Sequence, residues 1–379
     1  MRNSWKKTLL TKLPSFGESE VKGVLRIAVL PGDGIGPEVT VAGLQVLKAA
    51  AKRYRIRIET EHYPIGWAGV QHSGRPLPEQ TKEAVLQADA VFLGAVGDPE
   101  ADELPHDLRP EAGLLELRKV LDCYANLRPA RALESLIKSS PLRSERIRGT
   151  DFLIVRELSS GLYYGEPRSI DRGAGGAEAV NTLRYTASEI RRVAIVAFEA
   201  ARSRQRRVVS VDKANVLETS RLWREVVTEV AEDFREVELE HMLVDRAAME
   251  LVLRPSYFDV ILTQNLFGDI LSDEAGAITG SIGLLASASL GTGAGLYEPV
   301  HGSAPDIAGK GIANPLAAIL SAGLLLHHSG REDAARAIEK AVEGVLASGI
   351  RPPDLAGPGD DPSGTREVAD QVTEVVTGV

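Results

Sequence analysis

Cysteine is nearly missing from this 379-residue chain; Cys123 is the only one. A single thiol excludes an intrachain disulfide framework and a cysteine-based zinc site, and a reducing cytoplasm is the expected compartment. Surplus positive charge is also lacking. The chain has 53 acids against 44 bases, a formal net charge of −9, which argues against a protein that holds nucleic acid mainly by electrostatics. Long hydrophobic runs are few, and the longest, residues 316–326 behind Asn314-Pro315, is too short to span a membrane. Residues 1–23 carry Lys6, Lys7 and Lys12 but no apolar core of the length a secretory signal needs. They are poor in arginine for a transit peptide, so a loosely docked tail is expected. Internal repeats, low-complexity tracts and a composition-marked linker are absent.

What is present is a folded-protein composition, 44% hydrophobic and 26% charged. The length allows a large core and two domains. Apolar stretches at 24–30 (VLRIAVL), 88–94 (ADAVFLG), 151–155 (DFLIV), 207–211 (RVVSV), 240–244 (EHMLV) and 258–263 (FDVILT) read as strands. Helical patterns are expected over 37–51, 111–124, 186–204, 217–234, 315–327 and 332–347, with Thr186 and Glu189 at capping-box spacing. The glycines after the first strand (Gly32, Gly34, Gly36) are spaced G-x-G-x-G, which is not the Rossmann fingerprint; a tight strand-to-helix turn is their simpler use.

The charges that follow these strands carry the chemistry. Asp269 and Asp273 lie four apart on a helical pattern. Two like charges on one helix face want a cation between them, and a hard divalent ion suits carboxylate oxygens; two solvated acids are the plainer alternative. Arg118, Arg128 and Arg156 sit on three separate elements that can converge. Guanidinium groups make two-pronged contacts with carboxylates, so three of them suggest a di- or tri-acid, against three ordinary surface ion pairs. Glu111, Leu114, Leu115 and Arg118 share a helix face that is apolar in the middle and cationic at one end, readable as a pocket wall or a core stripe. Lys213 and Asp245 also stand at strand exits, and a lysine so placed can act as a base or stay solvated. Tyr163 and Tyr164 fit a proton donor or a hairpin plug. The Gly- and Pro-rich loop 298–315, with His301, Asp306 and Asn314, can cradle a polar ligand or be purely structural.

Six segments together resemble the isocitrate/isopropylmalate dehydrogenase family of decarboxylating β-hydroxyacid dehydrogenases: LPGDGIGPEV, ANLRPA, VRELSSGLYYGEPR, VDKANVLE, NLFGDILSDEAGAI and EPVHGSAPDIAGKGIANP. The similarity runs from about Val24 to the C-terminus. It implies an α/β, two-domain isopropylmalate-dehydrogenase-like fold with a non-Rossmann NAD site. Residues 24–123 plus 280–379 would form the cofactor domain, and 124–279 the substrate, metal and dimerisation domain. It further implies that Arg118, Arg128 and Arg156 hold the malate carboxylates, and that Asp245, Asp269 and Asp273 bind Mg2+ or Mn2+. Lys213 would take the hydroxyl proton and Tyr163 would protonate the enol. Glu298, His301, Gly302, Ser303, Ala304, Asp306, Ile307 and Asn314 would bind the adenosine half of NAD, with Asp306 selecting against NADP. In such a family Lys213 and Asp245 reach the site from the second subunit of a homodimer, with Asp245 touching substrate as well as metal. Glu111, Leu114 and Leu115 would recognise an isopropyl group; tartrate, D-malate and homoisocitrate are the alternative substrates. Two departures stand out: Ser159-Ser160 in place of Thr-Gly, and Arg246 directly after Asp245.

Overall fold

The computed structural model describes residues 23–173, 175–357 and 359–378; the expected N-terminal tail, Gly23 apart, lies outside the described residues. The strands are β1 (Val24–Gly32), β2 (Arg57–His62), β3 (Ala90–Ala95), β4 (Cys123–Arg131), β5 (Asp151–Glu157), β6 (Ser169–Asp171), β7 (Glu178–Val180), β8 (Arg207–Asp212), β9 (Glu238–Leu243), β10 (Val260–Thr263), β11 (Ala286–Gly291) and β12 (Gly295–Pro299). The helices are α1 (Gly36–Arg53), α2 (Trp67–Ser73), α3 (Glu79–Gln87), α4 (Pro110–Val120), α5 (Ser144–Ile147), α6 (Ala187–Arg202), α7 (Glu218–Ala231), α8 (Val244–Leu253), α9 (Asn265–Thr279), α10 (Leu316–His328), α11 (Glu332–Ala347) and α12 (Thr365–Thr377).

Ten strands build one mixed sheet in the order β2-β1-β3-β12-β11-β4-β5-β10-β8-β9, and β6 and β7 form a separate ribbon. The strands β3, β5 and β10 are buried along almost their whole length. That is why they read as continuous apolar runs instead of alternating ones: helices cover both sheet faces. Within the sheet, β2, β1, β3 and β12 run parallel to one another, as do β5, β10, β8 and β9. The two parallel blocks are joined by antiparallel pairings of β11 with β12, β11 with β4, and β4 with β5. Arg156, Lys213, Asp245 and the start of α9 therefore gather at the carboxyl ends of one parallel block, where open α/β sheets place ligands.

The local expectations are met at most elements. Thr186 and Glu189 make the reciprocal capping box that starts α6. Gly291 and Gly295 bound the hairpin turn between β11 and β12. The first glycine loop has a packing reason. A Cβ on Gly34 would lie 2.1 Å from the Ser303 carbonyl oxygen, and the Ile35 N–H donates to that oxygen at 2.8 Å. So this loop is clamped against the 298–315 loop. One expectation fails: the helix read over 111–124 stops at Val120, and Cys123 already begins β4. Asp122 turns the chain with φ 48°, and Ala125 then pairs with Leu290 on one side and Glu157 on the other. Strand pairing in the middle of the sheet outweighs the local helical pattern.

The C-terminal end of α10 buries His328 against the ring of Tyr297, with centroids 5.8 Å apart. Burial first, and the neighbouring His327 second, push the His328 imidazole down to about 3. An unfolded histidine titrates near 6.5, so below that pH the unfolded chain gains a proton that the folded chain refuses. The contribution is complete above pH 6.5 and is lost as pH falls toward 3. His328→Phe keeps the ring contact and removes the titration. Its melting temperature should drop less than the parent's between pH 7 and pH 5, by about 2 kcal/mol of stability at pH 5. Thermal melts across that range check this, and parallel pH slopes would count against it.

Candidate active site

The site starts where β10 ends. Asn265 opens α9, and one turn later Asp269 and Asp273 project from one helix face. Arg156, at the end of β5, donates from Nη1 to Asp269 Oδ1 at 2.5 Å. Arg128 of β4 comes within 3.6 Å of Asp269 and 4.0 Å of Asp273. Tyr163 donates its hydroxyl to Asp269 Oδ2 at 2.5 Å, and the Arg156 guanidinium lies 5.5 Å from the Tyr163 ring centroid. Gly268 makes this closeness possible, because a Cβ there would sit 2.6 Å from Arg156 Cγ.

Both arginines are buried, and their other edges meet neutral amides. Arg128 Nε donates to Asn126 Oδ1 at 2.6 Å, and Arg156 Nε and Nη2 donate to Asn265 Oδ1 at 3.0 and 2.7 Å. Burial, then the like charge of Arg156, push Arg128 down to about 9, still cationic at neutral pH. Burial works against ionisation of Asp269, but Arg156 and Arg128 outweigh it and hold the carboxyl below its usual range. Asp273 moves the other way, raised by burial more than Arg128 lowers it. Burial, then the hydrogen bond to Asp269, push Tyr163 up to about 12.

Arg118 of α4 enters from the far block of the sheet and donates from Nη2 to Glu298 Oε1 at 2.9 Å, both side chains buried. One acid of the expected cofactor loop is thus bound to one arginine of the expected substrate set. Leu115 and Tyr163 line a common groove of about 570 Å3, and Leu114 packs in part on the core. Glu111 faces the other way: a Cβ on Gly97 would lie 3.4 Å from Glu111 Oε1 and 3.2 Å from Ser303 Oγ. In the same loop Ala304 takes φ 38°, His301 Nδ1 lies 3.0 Å from the Gly302 carbonyl, and Gly302 and Asp306 are exposed. Ile307 packs on the core. The Asn314 amide is spent on Asp354 and on the Leu316 N–H, each at 3.0 Å.

Lys213 and Asp245 stand apart from this group. Lys213 Nζ meets Asp245 Oδ1 at 2.5 Å, and among the described residues no ion pair joins either to Asp269 or Asp273. Arg246 turns away to Glu240 and Glu250, at 3.5 and 3.8 Å. Among the described residues, no group of three His, Cys, Asp or Glu side chains is placed to hold a metal ion within one chain. Asp269 and Asp273 supply two hard oxygen donors, the second 60% exposed and only loosely met by Arg128. That set fits Mg2+ or Mn2+ and lacks a third protein ligand.

A sequence model described as isocitrate/isopropylmalate dehydrogenase matches residues 26–372. The chain belongs to the isocitrate/isopropylmalate dehydrogenase family. Among its relatives in this family, the 3-isopropylmalate dehydrogenase of Aquifex aeolicus is 53% identical over 350 residues, 92% of this chain and 96% of that protein. That of Bacillus subtilis is 54% identical over 354 residues, covering 93% and 97%. Of solved structures, isocitrate dehydrogenase from Methylococcus capsulatus superposes with a TM-score of 0.83 at 36% identity, over 93% of this chain and 99% of that one. A beta-decarboxylating dehydrogenase from Thermococcus kodakarensis does so at 0.75 and 38%, over 93% and 96%. The expected α/β fold is therefore the family's, and the chain is a dehydrogenase acting on a small molecule. Among the described residues no helix is long and apolar enough to cross a membrane.

Asn126, Asn265, Ser272 and Gly268 were not singled out from the sequence, although they shape the site. Their signal was indirect: a buried guanidinium must find neutral or acidic acceptors for all its N–H groups. Gly268→Ala should displace Arg156, lowering the melting temperature by a few degrees and turnover by roughly tenfold or more. Unchanged melting and turnover would show that Arg156 yields freely.

Proposed function

We propose that the protein catalyses NAD-dependent oxidative decarboxylation of (2R,3S)-3-isopropylmalate to 2-oxo-4-methylpentanoate, a step of leucine biosynthesis. The observation that carries this reading is the shared activity named for relatives 53–57% identical to the chain. Leu114 and Leu115, on the same helix as Arg118, would supply the apolar contact that an isopropyl group needs and a third carboxylate does not.

In this reading Arg118, Arg128 and Arg156 hold the two carboxylates and fix C2 and C3 of the substrate. Lys213 accepts the C2 hydroxyl proton on Nζ as C2 is oxidised. The departing carboxylate leaves its bonding electrons on C3, and Tyr163 Oη delivers a proton there. When bound, NAD would supply the hydride acceptor and Mg2+ or Mn2+ the Lewis acidity needed at the C2 oxygen. Asp269 and Asp273 would hold that ion, with Asp245 as a third ligand. The loop residues Glu298, His301, Gly302, Ser303, Ala304, Asp306, Ile307 and Asn314 would hold the adenosine half of NAD, in a cofactor domain of residues 24–123 plus 280–379. An exposed carboxylate at Asp306 accepts from a ribose hydroxyl and repels a 2′-phosphate.

A homodimer with shared sites accounts for the separation of Lys213 and Asp245 from Asp269. The elements that carry these residues expose apolar side chains: Val216 at 65%, Met249 at 62% and Ile270 at 59%, with Val252 and Leu253 beside them. Such a patch asks for cover by a second copy. A cytoplasmic setting fits the free, buried thiol of Cys123.

NADH formation from NAD with 3-isopropylmalate and Mg2+ tests the activity. The kcat/KM should exceed that for isocitrate, D-malate, tartrate or homoisocitrate by about tenfold or more; no NADH from a folded dimer would sink the reading. Asp306→Lys should move preference toward NADP by roughly tenfold or more, read as the ratio of kcat/KM for the two cofactors, and an unchanged ratio would remove Asp306 from cofactor choice.

A further inference from the structure

Buried arginines in this chain are backed in two different ways. Arg204, fully buried far from the site, is met by carboxylates, Asp259 at 2.9 Å and Asp151 at 2.8 Å. Arg118 is met by Glu298. Among the described residues no acid backs Arg128 or Arg156 from within: their inner edges meet the amide oxygens of Asn126 and Asn265. Both asparagines are almost completely buried and held from their other ends. Asn126 Nδ2 donates to Ser289 Oγ at 2.9 Å and Ser287 Oγ at 3.3 Å. Asn265 Nδ2 donates to the Ser160 carbonyl at 3.0 Å, and its backbone N–H donates to the Tyr185 hydroxyl at 2.9 Å. The acid the two arginines share, Asp269, lies on the open side.

We infer that Asn126 and Asn265 are positioning residues that fix the planes of Arg128 and Arg156 without adding negative charge behind them, so that only the α9 acids Asp269 and Asp273 compete with the carboxylates of the substrate. An amide oxygen accepts the same N–H bonds as a carboxylate oxygen but brings no negative charge. In a water-poor setting a carboxylate there would satisfy the guanidinium in advance, and a substrate carboxylate would gain less by binding. Asn126 also spans the joint of the sheet. It lies on β4, opposite Ser289 of β11 and Arg156 of β5, so the aim of Arg128 is set from both sheet blocks. The inference rests on the reading that these arginines hold the substrate.

Asn126→Asp is the discriminating variant. Its carboxylate can still accept from Arg128 Nε, and the Ser287 and Ser289 hydroxyls can rotate to donate to it, so no hydrogen bond is orphaned. The KM for 3-isopropylmalate should rise about tenfold or more, with the KM for NAD and the melting temperature little changed. A merely structural amide would leave the KM for the acid where it is, and that result overturns the inference. Asn265→Asp, measured the same way, carries the same expectation behind Arg156 and decides the matter if Asn126→Asp does not fold. Arg128→Gln separates the two levels. If it raises the KM for the acid while both aspartate variants do not, the inference fails alone. If it too leaves that KM unchanged, the substrate role of Arg128 fails and the inference with it.

Discussion

Two guanidinium groups are buried side by side, and the centre of the molecule is arranged around that cost. Arg128 and Arg156 sit on neighbouring strands, buried and both penalised by desolvation; Arg128 is further opposed by the charge of Arg156, and Arg156 by that of Arg118. A lone buried charge of this kind costs several kcal/mol unless its hydrogen bonds and its field are both answered. The hydrogen bonds are answered by Asn126, Asn265 and Ser272. The field is answered by Asp269, which α9 delivers from the end of β10. Gly268 lets the helix approach close enough to do so.

Arg118 solves the same problem differently. Its charge is answered by Glu298 across 180 residues of sequence, so helix α4 is tied to strand β12 and to the 298–315 loop that follows it. That loop is tied in turn to the first glycine turn through Ser303 and Ile35. Helix α4, strand β12 and the first glycine turn are thus joined through an ion pair and a backbone hydrogen bond.

Much of this could be read from the residues in line. Buried strands announced themselves as apolar runs, and the charges after them marked the carboxyl edge of the sheet. The capping box at Thr186 was local chemistry and needed no tertiary knowledge. What stayed hidden was whatever depended on a distant partner. The pairing of Arg118 with Glu298 cannot be inferred from either residue's neighbours. The end of α4 was misplaced because the apolar residues Leu121, Cys123 and Tyr124 continue its pattern, whereas Cys123 and Tyr124 open the strand that pairs with β11 and, from Ala125, with β5. Asn126 is the instructive case. It lies two residues before Arg128 on one strand, hence on the same face, but its importance shows only once that strand is known to be central.

The joint between the two sheet blocks has a mechanical consequence. The strands at the crossing, β4 and β11, are paired from Leu127 with Ala288 to Cys123 with Gly291, with an irregularity between Leu290 and Gly291. Any twist of one block against the other is carried through these few pairs, as through the clamped middle of a leaf spring. Any stiffening of that central pair would therefore be felt as a change in how far the two blocks can flex.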